Sequence, residues 1–157
     1  MSDVREVGEI VDRIEIEALR GEFTDAAMMS DHDRLGSLFT PDGAIRIPEA
    51  GIEVVGAAQI QALGQRREST VECFVQNTHG GVIELDGDTA SGRAYIYELF
   101  KFNDGSAHTN YAIYHDRYAR TPDGWKFTER VFEIRYLDSS PLTGSVPTRP
   151  LHTGPRP

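Results

Sequence analysis

Residues 71–138 constrain the fold more than any other part of the chain. Four runs, "VECFVQNTHGGVIEL", "TASGRAYIYELFKF", "AHTNYAIYHDRYAR" and "WKFTERVFEIRYL", are separated by "DGD", "NDG" and "TPDG". Apolar residues recurring every second position mark strands, and short Gly-containing breaks are hairpin turns. The segment therefore predicts four long strands in an antiparallel meander. The Gly80–Gly81 pair in the first run suits a bulge that bends its strand.

The alternation also exposes misfits. Glu98 lies in line with Ala94, Ile96, Phe100 and Phe102, and Arg130 lies in line with Phe132, Ile134 and Tyr136. An ionic group on an apolar strand face is costly to bury unless it is paired or changes its pKa. Two readings are open: a structural Glu98–Arg130 ion pair in a filled core, or polar groups lining a pocket. His79 is read as standing at the head of a strand, and its ordinary pKa near 6.5 suits acid–base work. A histidine there is equally compatible with a purely structural role.

Upstream of the strands the period changes. Val7, Val11, Ile14, Ala18 and Phe23 fall near helical spacing over residues 5–29, with charged residues mostly opposite. A shorter helix is expected at "DRLGSLF", a strand at "AIRI", and a third helix from 57 to 67. Three helices followed by a curved sheet make an α+β architecture able to enclose a cavity. The last nineteen residues hold five of the eight prolines and no periodic pattern, so residues 1–138 read as one domain and 139–157 as an extended tail.

Composition narrows the function classes. A formal charge of −9 and no basic run argue against nucleic acid or an anionic membrane as partner. Cys73 is the only cysteine, so no internal disulfide is expected. No apolar run reaches the length of a membrane span, and the first residues lack the apolar segment of a signal peptide, so a cytoplasmic protein is expected. The histidines His32, His79, His108, His115 and His152 show no helix-face metal spacing, and no nucleotide fingerprint or nucleophile elbow is present. A site without metal or cofactor is the expectation.

The stretches "DRLGSLFTPDGAIRI", "QNTHGGVIELDGDTASG" and "YHDRYARTPDGWKFTER" followed by "EIRYL", in that order, resemble the SnoaL-like, nuclear transport factor 2-like superfamily. The likeness spans residues 8–138 and points to the branch containing scytalone dehydratase and hexachlorocyclohexane dehydrochlorinase. The resemblance implies a cone: three helices packed on a curved, mainly antiparallel sheet around a pocket. In those lyases a histidine at the position of His79 is the base, held by an aspartate of the first helix. Met28 stands where that aspartate would fall, while Asp25 and Asp31 lie three residues to either side. The resemblance further implies that Arg130 is a pocket arginine and that Ile96, Glu98, Asn110 and Ala112 face the pocket. Tyr114 continues that face.

The resulting expectation is cofactor-free dehydratase-like, isomerase or cyclase chemistry on a small, largely apolar organic molecule. His79 would be the base, oriented by Glu98 or Asp25. Arg130, Asn110 or Tyr114 would bind the polar end, against a wall of Phe23, Met28, Ile96, Phe100 and Phe132. The alternative is a ligand-binding or scaffold member that has lost the His–Asp dyad. A homo-oligomer, dimer or trimer, is expected, and Tyr95, Tyr97, Leu99, Tyr111 and Ile113 would form a patch on the convex face.

Overall fold

Segment 71–138 forms the greater part of a seven-stranded sheet in the computed structural model, which describes residues 2–147 and 154–155. The helices are α1 (Ser2–Met28), α2 (His32–Ser37) and α3 (Ala57–Thr70). The strands are β1 (Phe39–Ile47), β2 (Ile52–Val55), β3 (Val71–His79), β4 (Ile83–Asp86), β5 (Thr89–Phe102), β6 (Ala107–Thr121) and β7 (Gly124–Asp138). Strand order is β2-β1-β7-β6-β5-β3, with β4 also paired to β5. The sheet is mixed and unclosed: β1 runs parallel to β7, and every other pair is antiparallel. Three helices on this sheet make the expected α+β cone.

The first run of the meander departs from expectation. It is two strands rather than one bulged strand, β3 and β4, both laid against β5. Gly81 explains the break, because a Cβ there would sit 2.0 Å from the Arg93 carbonyl oxygen. No side chain fits so close a backbone approach.

Along β5 and β6 the even-numbered residues face the helices. Ala94, Ile96 and Glu98 are buried on one strand, and Asn110, Ala112, Tyr114, Asp116 and Tyr118 on the next. Strand β7 changes face twice, since Thr128 and Arg135 each lie between pairs that skip them in the register with β6. Each extra residue reverses the parity of the residues after it. Trp125 and Phe127 therefore point inward with Arg130 and Phe132, whereas Tyr136 is 60% exposed opposite Tyr111. The single apolar face expected from Arg130 to Tyr136 ends at Ile134.

Helix α1 lies across the concave face. Ile16, Leu19, Phe23, Ala26 and Ala27 are buried, and Phe23 meets Phe39, Tyr114 and Phe127 edge to face at 5.7–6.1 Å between centroids. Midway along it, Asp12 accepts from both terminal nitrogens of Arg120 and from the Trp125 indole, pinning the helix to the β6–β7 hairpin. Asp31 caps α2, accepting from the Arg34 backbone amide, and so turns the chain under α1. No helix among the described residues is long and apolar enough to cross a membrane. Residues 139–147 form no helix or strand, and the Gly154 amide donates to the Met29 carbonyl at the end of α1. The rest of the proline-rich tail, with His152, lies outside the described residues.

Candidate functional site

Between α1, α3 and the sheet lies a cavity of about 290 Å³. Phe23, Leu35, Ile45, Leu63, Phe74, Phe100, Phe102 and Phe132 give it an apolar wall. Polar side chains interrupt that wall: Arg67, Gln76, Glu98 and Tyr114, with the exposed Arg66 and Thr70 also on the lining. A mostly apolar concavity with a few convergent polar groups is the ordinary form of a small-molecule site.

The register of β3, β5 and β6 assembles the polar group. Gln76 pairs with Glu98, and Glu98 pairs with Asn110, all three buried on the inward face. Gln76 Nε2 donates to Glu98 Oε1 at 2.5 Å, and Gln76 Oε1 accepts from the Thr24 hydroxyl of α1 at 3.1 Å. Glu98 is only 5% exposed. Burial pushes its pKa above the ordinary glutamate value, opposed by the Gln76 and Asn110 amides and by the charges of Arg67 and Arg130. The Tyr114 hydroxyl is likewise held protonated, raised chiefly by burial. Asn110 Oδ1 is buried with no hydrogen-bond partner among the described residues. A buried acceptor left open beside a buried acid is unusual in a filled core.

Arg67 and Gln76 were absent from the candidates drawn from the sequence. Arg67 follows Ile60, Leu63 and Gly64 at helical spacing, so the inner stripe of α3 ends in a guanidinium. It stacks 4.3 Å over the Phe74 ring and donates to the Ala27 carbonyl at 2.7 Å. Gln76 shares its face with Phe74 and Thr78 by simple alternation; a glutamine in that series was the available signal.

The structure brings together only some of the expected residues. Phe23, Glu98, Phe100, Tyr114 and Phe132 line the cavity, with Asn110 beside Glu98 and Ile96 buried in the adjoining core. His79 does not join them. It follows Thr78 by one residue, so alternation turns it to the opposite face, exposed and paired with Tyr95. Asp25 is also elsewhere, ion-paired with Arg34, which holds Glu22 and Asp31 as well. Met28 caps the open edge of β3: the Gln76 backbone amide points at its sulfur at 3.1 Å. The groups that meet across α1 and β3 are thus the Met28 thioether on a backbone amide and the Thr24 hydroxyl on Gln76 and Thr78, not an acid and an imidazole.

Arg130 has a different partner from the one expected. It donates twice to Asp116, at 2.8 and 3.0 Å, rather than pairing with Glu98. Asp116 also accepts from the Tyr118 hydroxyl at 2.8 Å, which accepts in turn from Arg20 Nε at 2.8 Å. Arg20 completes its bonds on Glu17 and the Val82 carbonyl. Arg130 is further enclosed by the rings of Phe23, Tyr114 and Phe127. Burial pulls its pKa down, yet the Asp116 carboxylate outweighs that and raises it. Asp116, Tyr118 and Arg20 form a closed network that went unread in the sequence.

The three helices on a mixed, unclosed sheet define an α+β cone, with a mainly apolar cavity under its helices. A model of the SnoaL-like domain matches residues 8–131, and the chain belongs to that family. An uncharacterized protein of Mycobacterium tuberculosis is 28% identical over 127 residues, covering 80% of this chain and 86% of that protein. Among solved structures, hexachlorocyclohexane dehydrochlorinase type 3 from Novosphingobium barchaimii superposes with a TM-score of 0.79 at 19% identity, covering 92% of this chain and 99% of that one. A Novosphingobium aromaticivorans protein, provisionally named an aromatic ring hydroxylase, gives 0.78 at 27% identity, covering 83% and 94%. The dehydrochlorinase likeness establishes the fold alone.

Proposed function

We propose that the chain is a cofactor-free acid–base enzyme acting on a small, largely apolar organic molecule held in the α1–α3 cavity, with Glu98 as the proton-transferring group. One observation carries the reading: Glu98 is a buried carboxyl with a raised pKa, on an apolar cavity wall, with no cation ion-paired to it among the described residues. A carboxyl in that setting keeps its proton to a higher pH than an ordinary glutamate does, so it can both give and take a proton beside a substrate. Glu98 in its ionised form takes a proton from an acidic C–H of the substrate. As the acid it returns that proton, either to another substrate atom, completing an isomerisation, or to a leaving hydroxyl, which departs as water. Tyr114 and Arg67 are placed to steady oxygen charge that develops meanwhile.

Exchange of substrate hydrogen in D2O tests this without knowledge of the product. A panel of small ketones and hydroxylated aromatics is incubated with the protein and read by mass spectrometry. Glu98→Gln should lower the exchange rate by about a hundredfold or more. Equal exchange by both proteins, or none by the wild type, would contradict the proposal.

A second reading is non-catalytic ligand binding in the same cavity, favoured by the Met28–Gln76 contact that stands where an acid–histidine dyad was expected. It predicts that Glu98→Gln leaves affinity unchanged and that no substrate hydrogen exchanges.

A further inference from the structure

We infer that the occupant of the cavity carries a carboxylate, and that this carboxylate sits on the Arg67 guanidinium. The inference rests on the cavity being the ligand site, as proposed above, and adds the chemical class of the ligand.

The inward arginines of this protein differ in one respect. Arg130 commits two donors to Asp116, Arg20 bonds Tyr118, Glu17 and a carbonyl, and Arg34 holds three carboxylates. Arg67 has a backbone carbonyl and a ring face, and no carboxylate among the described residues forms an ion pair with it. Its head group nonetheless lines the cavity, within electrostatic reach of Tyr114 and Glu98. Burial draws its pKa down, and the more distant charges of Glu98 and Glu68 offset that only in part. The Phe74 ring, 4.3 Å from the guanidinium carbon, and the bond to the Ala27 carbonyl together hold the head group in place before a ligand arrives. A planar fork with unused donors matches the two oxygens of a carboxylate.

The surroundings define the rest of the ligand. Phe74, Phe100, Phe102 and Phe132 supply ring faces for an aromatic or alicyclic body. Glu98, kept in its neutral form more readily than an ordinary glutamate, can stand near a ligand carboxylate as a hydrogen-bond donor. Selection for the anion comes from short-range contact, chiefly with the half-buried Arg67 rather than the exposed Arg66 on the same lining, because the formal charge of −9 disfavours anions at long range.

Matched probes test the inference: 2-naphthoate and its neutral isostere 2-naphthamide, titrated calorimetrically into the wild type, Arg67→Met and Arg67→Lys. The wild type should bind the acid about tenfold or more tightly than the amide. Arg67→Met, which keeps the packing on Phe74, should erase that preference, and Arg67→Lys should keep part of it. An amide bound as tightly as the acid by the wild type, or a preference that survives in a folded Arg67→Met, would overturn the carboxylate assignment while leaving the cavity as the ligand site. Failure of acid and amide alike to bind the wild type would count against the cavity itself, and so against both proposals. If Arg67→Met proves unfolded by circular dichroism, the wild-type acid-to-amide ratio and Arg67→Lys still decide the matter.

Discussion

Two buried polar clusters sit on the same sheet face, six residues apart along β6, and they are built on opposite principles. Around Asp116 the charged groups answer one another: Arg130 donates twice, Tyr118 once, and Arg20 closes the chain. Around Glu98 the bonding stays open. Its acid meets only the Gln76 and Asn110 amides, Asn110 Oδ1 has no partner among the described residues, and Arg67 forms no ion pair among them. A closed network holds a fold in one arrangement, and an open one beside a cavity leaves bonds for a ligand to make. The difference separates architecture from site more sharply than burial does, since both clusters are buried.

Breaking the closed cluster should have the largest effect. Arg130→Met takes both guanidinium donors from a fully buried carboxylate, and Asp116→Asn removes the anion ion-paired with the buried Arg130. Each should cost about 3–5 kcal/mol in urea unfolding, enough to leave little folded protein. A loss below about 1 kcal/mol would mean that the Asp116 cluster is not the structural one.

Glu98→Gln should do the reverse, losing proton transfer while keeping the fold. The sign comes from its raised pKa. The folded state binds the Glu98 proton more tightly than the unfolded state, so its contribution to stability is present below the ordinary glutamate pKa and is lost as pH rises through the raised value. Glu98→Gln should therefore raise the melting temperature at neutral pH and remove the part of the pH dependence that lies above the ordinary glutamate pKa. A variant that melts lower than wild type at pH 7 would show that the charged carboxylate is needed structurally.

Gln76→Met sharpens the comparison at a finer scale. Removing the Nε2 donor takes away a bond that favours the ionised acid, so the midpoint of the Glu98-dependent rate should move to higher pH. An unmoved midpoint would detach Gln76 from the site. The smallest effect is expected from His79→Ala. An exposed residue outside both clusters should change stability by no more than about 0.5 kcal/mol and leave ligand affinity intact. Loss of exchange activity in that variant would restore His79 as the base.

Much of the fold was legible because strand period and Gly-containing turns are local signals. The even face of β5, with Glu98 on it, came from alternation alone. What was hidden depended on register. The two extra residues in β7 reverse its faces, so Tyr136 could not be placed by counting. His79 differs from the inward Thr78 by one position, and only the pairing of Gln76 with Glu98 shows which residue of β3 reaches the acid. Asp116 sat among charged neighbours in "HDRYAR", where nothing local distinguishes a buried aspartate from a solvated one. Arg67 required knowing that α3 covers the cavity side of the sheet.

The most direct test is the protonation of Glu98 itself. Carbon-13 NMR of the labelled carboxyl group, assigned by its disappearance in Glu98→Gln, gives its titration midpoint with and without 2-naphthamide in the cavity. A midpoint clearly above the ordinary value of about 4.3, moving further when the cavity fills, is the predicted result. A midpoint at or below that value, indifferent to the ligand, would mean that the open cluster is neither strained nor part of a binding site.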